Sequence, residues 1–243
     1  MTPRSGNKRN YQRELDEVLK ELEKSGERKT LLLHSCCAPC SSYCLKYLAE
    51  YFDITDLYYN PNITDREEYD KRKAELGRLI EIYNEEGILS EEGMAADGGT
   101  GHRDIAAPGN GNRRGRIRFI EGRYEPELFF KMADPLKDIP EGGRRCYLCY
   151  ELRLREAARC AKDGGFDFFT TTLSISPHKN ADWINEIGER LSEEYKVKHL
   201  PSDFKKRDGY KTSIELSAKY GLYRQDYCGC VYSRRDGNNE DNT

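Results

Sequence analysis

The sequence has no long hydrophobic run, because its apolar stretches are only a few residues long. A membrane-spanning helix needs about 20 consecutive apolar residues, so we expect no membrane partner. The first residues also lack the apolar segment of a secretory signal peptide. Together these two absences predict a cytoplasmic protein.

A strong excess of charge of either sign is also missing. The 40 Lys and Arg residues nearly balance the 43 Asp and Glu residues, for a net charge of -3. Nucleic-acid binding depends on a local basic patch rather than on the total charge, so this balance neither favours nor excludes it. The 17 tyrosines and the short aliphatic runs distinguish the chain from a disordered polypeptide. Its 243 residues suit a single folded domain.

Short apolar runs alternate with amphipathic helical patterns along the chain. This alternation predicts an α/β fold with a single doubly wound, mostly parallel sheet, Rossmann-like and similar in topology to nucleotide hydrolases and PP-loop proteins. We expect one domain over residues 1–235, with an N-terminal helix at about residues 11–24. Residues 85–115 are rich in glycine and charge, which predicts a flexible insertion. Residues 236–243 are predicted to form a disordered tail.

Local signals predict where several elements begin. Thr64 followed by Glu67 forms a capping-box pattern at the start of a helix. Ser176-Pro177 is typical of another helix start. Residues 197–204 are predicted to form the last strand.

Cysteine carries most of the chemical information in this sequence. Nine cysteines in a reducing compartment do not indicate a disulfide scaffold, and their short spacings favour metal binding or redox chemistry. Three close pairs stand out: Cys36 and Cys37, Cys146 and Cys149, and Cys228 and Cys230.

Cys36 and Cys37 fall where the first apolar strand passes into a helix. In a nucleotide-binding protein this loop carries glycines and hydroxyls for phosphate, whereas here it carries thiols. A helix N-terminus stabilises a thiolate for the same electrostatic reason that it stabilises phosphate. Because ligands gather at the carboxyl ends of parallel strands, we predict a cysteine-lined site at this edge.

Cys146 and Cys149 are three residues apart on a predicted helix, so both thiolates can hold one metal centre. With Cys36 and Cys37 they supply four soft ligands, which suit zinc or an iron-sulfur cluster and exclude magnesium or calcium. From the residues alone, a structural zinc site and a redox cluster are both open interpretations.

Cys228-Gly229-Cys230 is an unusual spacing. A disulfide across one intervening residue closes a small, strained ring that is readily reduced, which indicates a redox-active dithiol. Two alternatives are that both thiols bind a metal, or that one binds and the other is spare.

The remaining thiols and the first-strand histidine have simpler interpretations. Cys44 and Cys160 have small or apolar neighbours and are predicted to be core residues. Cys40 fits a ligand to a second metal, a resolving thiol or plain packing. His34 at the end of the first strand is interpreted as a hydrogen-bonded core histidine, with a role at the site as the alternative.

Acidic and basic groups near the cysteine segments are also candidates. Asp203 and Tyr227 could donate protons near the thiols, although such residues at loop starts are usually solvated or capping. Basic residues flank the cysteine segments, as expected either for a solvated surface or for cations that bind a polyanionic substrate. They are Lys205, Lys206 and Arg207, Arg144 and Arg145, and Arg234 and Arg235.

The order and spacing of seven segments resemble the cobalamin-independent epoxyqueuosine reductases, over about residues 10–233. The segments are Cys36-Cys37-Ala38-Pro39-Cys40, Tyr59-Asn60-Pro61-Asn62-Ile63, Glu141-Gly142-Gly143-Arg144-Arg145-Cys146 with Cys149, Thr170-Thr171-Thr172-Leu173, Ser176-Pro177-His178-Lys179, Asp203-Phe204-Lys205-Lys206, and Tyr223-Arg224-Gln225 with Tyr227-Cys228-Gly229-Cys230. The stretch at about residues 87–114 departs from the family pattern, because it is longer and richer in glycine.

The resemblance implies a cytoplasmic enzyme, an oxidoreductase of tRNA processing and queuosine biosynthesis. Its substrate would be tRNA whose anticodon wobble position carries epoxyqueuosine, and it would reduce the epoxide to the alkene of queuosine. The resemblance also implies a [4Fe-4S] cluster bound by one set of thiols and a redox-active pair. The implied cluster ligands are Cys36, Cys37, Cys146 and Cys149, and the implied catalytic pair is Cys228 and Cys230.

Removing the epoxide oxygen as water takes two electrons and two protons. An iron-sulfur cluster passes electrons singly, so a dithiol or a second metal is a useful partner, and an unidentified low-potential electron donor must supply the site. Cys40, Asp203 and either member of the final pair could instead hold a second, mononuclear iron beside the cluster.

Two other functions compete with the reductase. A zinc-stabilised tRNA-binding module without catalysis would need only four cysteines and would leave Cys228-Gly229-Cys230 unexplained. An ATP-dependent tRNA thiolase should offer serine and glycine to pyrophosphate in its first loop, which Ser35-Cys36-Cys37-Ala38-Pro39 does not.

Overall fold

The computed structural model describes residues 9–86 and 116–233. The predicted insertion at residues 85–115, apart from its first two residues, lies outside the described residues. The predicted tail at residues 236–243 also lies outside them.

Strands and helices alternate along the described chain. The strands are β1 (Lys29–Ser35), β2 (Phe52–Tyr58), β3 (Arg118–Glu121), β4 (Phe168–Thr171) and β5 (Lys198–His199). The α-helices are α1 (Tyr11–Ser25), α2 (Ala38–Leu48), α3 (Arg66–Glu85), α4 (Pro126–Ala133), α5 (Arg144–Asp163), α6 (Ala181–Tyr195) and α7 (Gly209–Lys219).

The five strands form one parallel sheet in the order β3-β2-β1-β4-β5. The chain builds outward from β1 through β2 to β3, and then places β4 on the other side of β1. The direction of winding therefore reverses between β1 and β4, and in α/β sheets ligands bind in the crevice at the carboxyl ends of such a strand pair. The predicted doubly wound α/β fold is confirmed, and this crevice is where Cys36 and Cys37 lie.

Helices cover both faces of the sheet, and β1 contributes to the core on each side. Leu31 and Leu33 belong to one hydrophobic cluster with residues of α1, α2 and α3, whereas Leu32 belongs to a second cluster with residues of α5 and α6. Alternate side chains of a strand point to opposite faces, so a continuous apolar run is expected for a central strand. The thiol-bearing turn after β1 therefore begins from the best-buried part of the protein.

Three local predictions were wrong. Helix α3 is capped by Asp65 rather than Thr64, because the Asp65 side chain accepts hydrogen bonds from the backbone of Glu67 and Glu68. Helix α6 begins after Asn180, whose side chain accepts from Trp183 N at 3.1 Å, and not at Ser176-Pro177. The last strand contains only Lys198–His199. Serine, threonine, aspartate and asparagine all cap helices, so a pattern places a cap only to within a few residues.

Within the described segments, no helix is both long and apolar enough to cross a lipid bilayer.

Candidate active site

The Cys36-Cys37 turn brings three thiols together. Strand β1 ends at Ser35, Cys37 is the N-cap residue of α2, and Cys40 follows one helical turn later. The Sγ atoms of Cys36, Cys37 and Cys40 all lie within 4.8 Å of one another, and those of Cys36 and Cys37 are 3.7 Å apart. Three thiol sulfurs at such distances could hold a soft metal.

Buried hydrogen bonds fix this turn. The Ser35 hydroxyl donates to the Asp56 carboxyl group at 2.5 Å, and the Asn60 side chain donates to the Ser35 carbonyl at 2.9 Å. The Ser41 hydroxyl lies 2.8 Å from both the Ser35 hydroxyl and the Cys37 carbonyl oxygen. Burial raises the pKa of Asp56 to about 8. The turn is thus bonded to the sheet on one side and to α2 on the other.

The three thiols differ in pKa. Hydrogen bonds from Cys37 and then Cys40 lower the pKa of Cys36 well below its usual value, with a further contribution from the Lys179 ammonium group. The same Cys36 interaction raises the pKa of Cys37 to about 12 and also raises that of Cys40. Cys36 is therefore the thiol of the group that loses its proton most readily, and a thiolate is the form of cysteine that binds metals.

Cys146 and Cys149 lie in the first two turns of α5. The backbone N–H of Gly142 donates to the Cys146 sulfur at 3.3 Å, while Cys149 is buried in a small cluster with Phe129 and Cys230. Burial is the largest contribution that raises the pKa of each thiol. Both thiols interact electrostatically with Cys228, so α5 and the C-terminal segment meet at this point.

The Cys228-Gly229-Cys230 segment has a backbone that only glycine adopts readily. Gly229 has φ +93°, and a Cβ atom on it would lie 2.5 Å from Cγ1 of Ile63. The hydrogen bond from Cys230 is the largest contribution that lowers the pKa of Cys228 well below its usual value, and the same pair raises the pKa of Cys230. The Cys228 sulfur also lies 3.0 Å from the Ser233 hydroxyl.

Side chains from α3 and the loop before it hold this segment in place. The Asn62 side-chain amide donates to the Cys228 carbonyl at 2.9 Å. The buried Arg72 guanidinium donates to the Tyr227 carbonyl at 3.4 Å and forms an ion pair of 2.6 Å with Glu68. The Cys228 turn is thus fixed by contacts with side chains rather than by the sheet.

A cavity of about 1000 Å³ connects these segments. Cys36 and Cys40 line it from α2 and the turn before it, and Cys228 lines it from the C-terminal segment. Lys179 and Arg153 also line it, and each interacts electrostatically with both Cys36 and Cys228. Cys36, Cys40 and Cys228 therefore share one cavity, whereas Cys146 and Cys149 do not line it and interact electrostatically with Cys228.

The sequence analysis did not select Arg153 or Lys179. Arg153 follows Cys149 by four residues, so it lies on the same face of α5, and this spacing was an available signal. Lys179 ends the segment Ser176-Pro177-His178-Lys179, which carried part of the family resemblance but no assigned role.

His34, Cys44 and Cys160 are core residues, as predicted. His34 is completely buried, with Nδ1 2.8 Å from the Thr171 hydroxyl and Nε2 2.9 Å from the Tyr59 carbonyl oxygen. Because a carbonyl only accepts, Nε2 carries the proton and Nδ1 accepts from Thr171. Burial lowers the pKa of His34 to about 4, so the ring is neutral at physiological pH.

Several flanking basic residues have partners within the protein. Arg145 is buried and donates to the carbonyls of Leu136, Lys137 and Ile139, so the interpretation of this residue as a substrate-binding cation was wrong. Lys205 pairs with Asp203 at 2.6 Å, and Arg207 pairs with Asp16. Arg234 and Arg235 lie outside the described residues.

Comparison with known proteins gives a consistent result. A family model described as "Epoxyqueuosine reductase QueH" matches residues 31–96 and 106–236. Among curated proteins, the chain is 40% identical over 227 residues to an epoxyqueuosine reductase QueH of Staphylococcus epidermidis, covering 92% of this chain and 84% of the relative. It is 38% identical to one of Streptococcus pyogenes, covering 93% and 78%, and 32% identical to one of Thermotoga maritima, covering 84% and 90%. On this evidence, the chain belongs to the QueH family of epoxyqueuosine reductases.

Proposed function

We propose that this enzyme reduces the epoxide of epoxyqueuosine in a tRNA anticodon to the alkene of queuosine. Both C–O bonds of the epoxide break, a C=C bond forms between the same carbons, and the oxygen leaves as water. The conversion consumes two electrons and two protons. The observation that carries the proposal is that Cys36, Cys40 and Cys228, from two distant segments, line one cavity in a chain whose relatives are named for this reaction.

We infer that a [4Fe-4S] cluster is bound by Cys36, Cys37, Cys146 and Cys149. The donor set fits in kind, because all four groups are thiols and the lowered pKa of Cys36 favours its thiolate form. When bound, such a cluster supplies electrons one at a time. Cys40 lies with Cys36 and Cys37, which favours a metal-binding role for it too, including a ligand to a second iron.

Cys228 and Cys230 are the proposed redox pair. The hydrogen bond between them lowers the pKa of Cys228 and raises that of Cys230, which favours Cys228 as the reactive thiolate of the pair. Conversion of two thiols to a disulfide releases two electrons and two protons, which equals the requirement of the epoxide. Lys179 stabilises the Cys228 thiolate and faces the same cavity.

The cavity also suits a nucleoside. Its volume of about 1000 Å³ is at the upper end of ordinary ligand pockets, and its lining includes Tyr210, Tyr223 and Arg224. Sequence-specific RNA enzymes act on nucleotides of loops that can leave the base stack, and they hold these bases with aromatic and guanidinium groups. A wobble nucleotide from an anticodon loop is an RNA substrate of this kind.

The proposal is tested by purifying the enzyme without oxygen and measuring its metal content and its activity on tRNA. The purified enzyme should be brown and contain iron and sulfide, and with dithionite it should convert epoxyqueuosine-bearing tRNA to queuosine-bearing tRNA, as measured by mass spectrometry of the nucleosides. A colourless zinc protein that binds the tRNA without turnover would overturn the proposal and favour a zinc-stabilised binding module.

A further inference from the structure

Three arginines are buried in the described part of the chain, and they differ in what balances their charge. Arg72 and Arg145, like Arg153, are each 2% exposed. Arg72 pairs with the Glu68 carboxylate, and Arg145 donates to three backbone carbonyls. Burying a cation without compensation costs several kcal/mol, so each buried guanidinium should have a partner.

Arg153 has no carboxylate within ion-pair distance among residues 9–86 and 116–233. The one hydrogen bond it forms within these residues runs from Nε to the Cys149 carbonyl at 3.2 Å. Its electrostatic partners are the sulfurs of Cys149, Cys36 and Cys228 and the Tyr150 ring, whose centroid is 5.9 Å from the guanidinium carbon, and its side chain lines the cavity. The guanidinium therefore faces sulfur atoms of three different segments rather than a carboxylate.

Lys179 is half-buried and lines the same cavity. It forms no ion pair with a carboxylate in the described chain, and the partners that raise its pKa are the sulfurs of Cys36, Cys40 and Cys228. Two cations thus face one group of sulfurs. Their positions in sequence are unrelated, one on α5 and the other in the turn before α6.

We propose that Arg153 and Lys179 are the counter-cations of the sulfur site, which retain its negative charge inside the protein and determine how readily it accepts an electron. This inference rests on the proposed function, because it assumes that the thiolates hold a redox-active metal group. In this inference Arg153 and Lys179 act only through their charge on the sulfur site and do not take part in the reaction as catalytic residues.

The physical argument is electrostatic. A one-electron reduction adds one negative charge to a site that is already anionic, and this charge costs most where water is excluded. A nearby cation offsets that cost, and net charge is among the factors that set the potential of iron-sulfur sites. Removing one of the two cations should therefore make the reduced state less favourable.

The experiment compares charge-removing with charge-keeping variants of the anaerobically purified holoenzyme. The variants are Arg153→Gln, Arg153→Lys, Lys179→Gln and Lys179→Arg. Each is titrated with dithionite in the presence of redox dyes, and the reduced site is followed by electron paramagnetic resonance. Iron and sulfide content and the thermal midpoint are measured on the same samples.

We expect each glutamine variant to lower the equilibrium constant for reduction at least tenfold, which corresponds to about 59 mV for one electron. The charge-keeping variants should stay within a few-fold of the wild type. Arg159→Gln is the matched control, because Arg159 lies on the same helix but pairs with Glu156 and Asp163 near the surface. It should leave the potential unchanged.

Unchanged potentials in iron-containing glutamine variants would overturn the inference and leave the proposed function standing. If Arg153→Gln does not fold, the potential of Lys179→Gln tests the inference, because Lys179 is only half-buried and its replacement should disturb folding less. Loss of iron from folded glutamine variants, restored by Arg153→Lys or Lys179→Arg, would support the inference. A wild type without iron or sulfide would instead overturn the proposed cofactor, and this inference with it.

Discussion

The two thiol-bearing turns of the site are built in opposite ways. The Cys36-Cys37 turn continues the central strand, and the side chains that fix it, such as Asp56 and Asn60, are completely buried. The Cys228-Gly229-Cys230 turn lies outside the sheet, and Asn62 and Arg72 hold it through single hydrogen bonds to its backbone. The first turn is thus part of the buried sheet edge, whereas the second is held by hydrogen bonds from side chains to its backbone. This difference is consistent with the proposed roles of the two turns, metal binding in the first and a redox pair in the second.

The largest expected effects separate metal binding from turnover. Cys146→Ala should lose both the brown colour and the activity, because it removes a proposed ligand. Cys228→Ala should abolish turnover but retain iron and sulfide, because it removes only a member of the proposed redox pair. Absorption spectra, iron analysis and the tRNA assay on the two variants provide the comparison. A colourless Cys228→Ala protein would place Cys228 among the metal ligands.

The buried Asp56 carboxyl group, which helps to fix the Cys36-Cys37 turn, should make the free energy of unfolding depend on pH. The folded-state pKa of Asp56, about 8, lies above its unfolded value of 3.8, so the folded state binds this proton more tightly. Its stabilising contribution is complete below the unfolded value and is lost as the pH rises through 8. Asp56→Asn cannot ionise and can still accept from Ser35. Between pH 5 and pH 8 the free energy of unfolding of the wild type should fall by roughly a few kcal/mol more than that of the variant.

Urea unfolding at both pH values, with wild type and variant at matched metal content, measures this difference. Parallel pH profiles for the two proteins would show that Asp56 does not hold its proton in the folded state.

Crowding at the second turn should have a smaller effect. Gly229→Ala combines a backbone of φ +93° with a Cβ atom 2.5 Å from Ile63, and overpacking typically costs about 1–3 kcal/mol. Gly26→Ala is the matched control, because Gly26 also has positive φ, +65°, but open space around its Cβ position. Gly229→Ala should therefore destabilise the protein more than Gly26→Ala and reduce turnover. Equal thermal midpoints for the two variants would exclude the contact with Ile63 as a constraint.

The smallest expected effect concerns the tether of the second turn. Asn62→Ala removes the hydrogen bond to the Cys228 carbonyl, which should cost about 1 kcal/mol. Turnover should fall several-fold, because the dithiol is held less firmly, while iron content stays at the wild-type level. A variant that loses iron but keeps its turnover per iron would show that Asn62 supports the metal ligands instead.

Much of the fold and the identity of the family could be predicted from sequence. The apolar run Leu31-Leu32-Leu33 predicts a strand that is buried on both faces of a parallel sheet. The structure confirms this, because these residues belong to hydrophobic clusters on both sides of the sheet. Membership of the epoxyqueuosine reductase family, predicted from seven segments in order, is also confirmed. Helix caps were less predictable, because several residue types compete at neighbouring positions and only the final chain path selects one.

Arg145 and Arg153 are residues whose partners could not be predicted from the sequence. Both lie on α5 near its cysteines and both are buried, yet one donates to the carbonyls of a loop and the other faces the sulfurs. Nothing in their local sequence distinguishes them, because the partner of a guanidinium is decided by which distant segment packs against it.

The sequence by itself determined the alternation of strands and helices, the close cysteine pairs and the family, because all of these are recorded in local patterns and spacing. Only the tertiary structure decided that Cys36, Arg153, Lys179 and Cys228 share one cavity. They lie far apart along the chain. The parallel strands β1 and β4 direct the segments that carry Cys36 and Lys179 to one edge, whereas the packing of α5 and of the C-terminal segment brings Arg153 and Cys228 there.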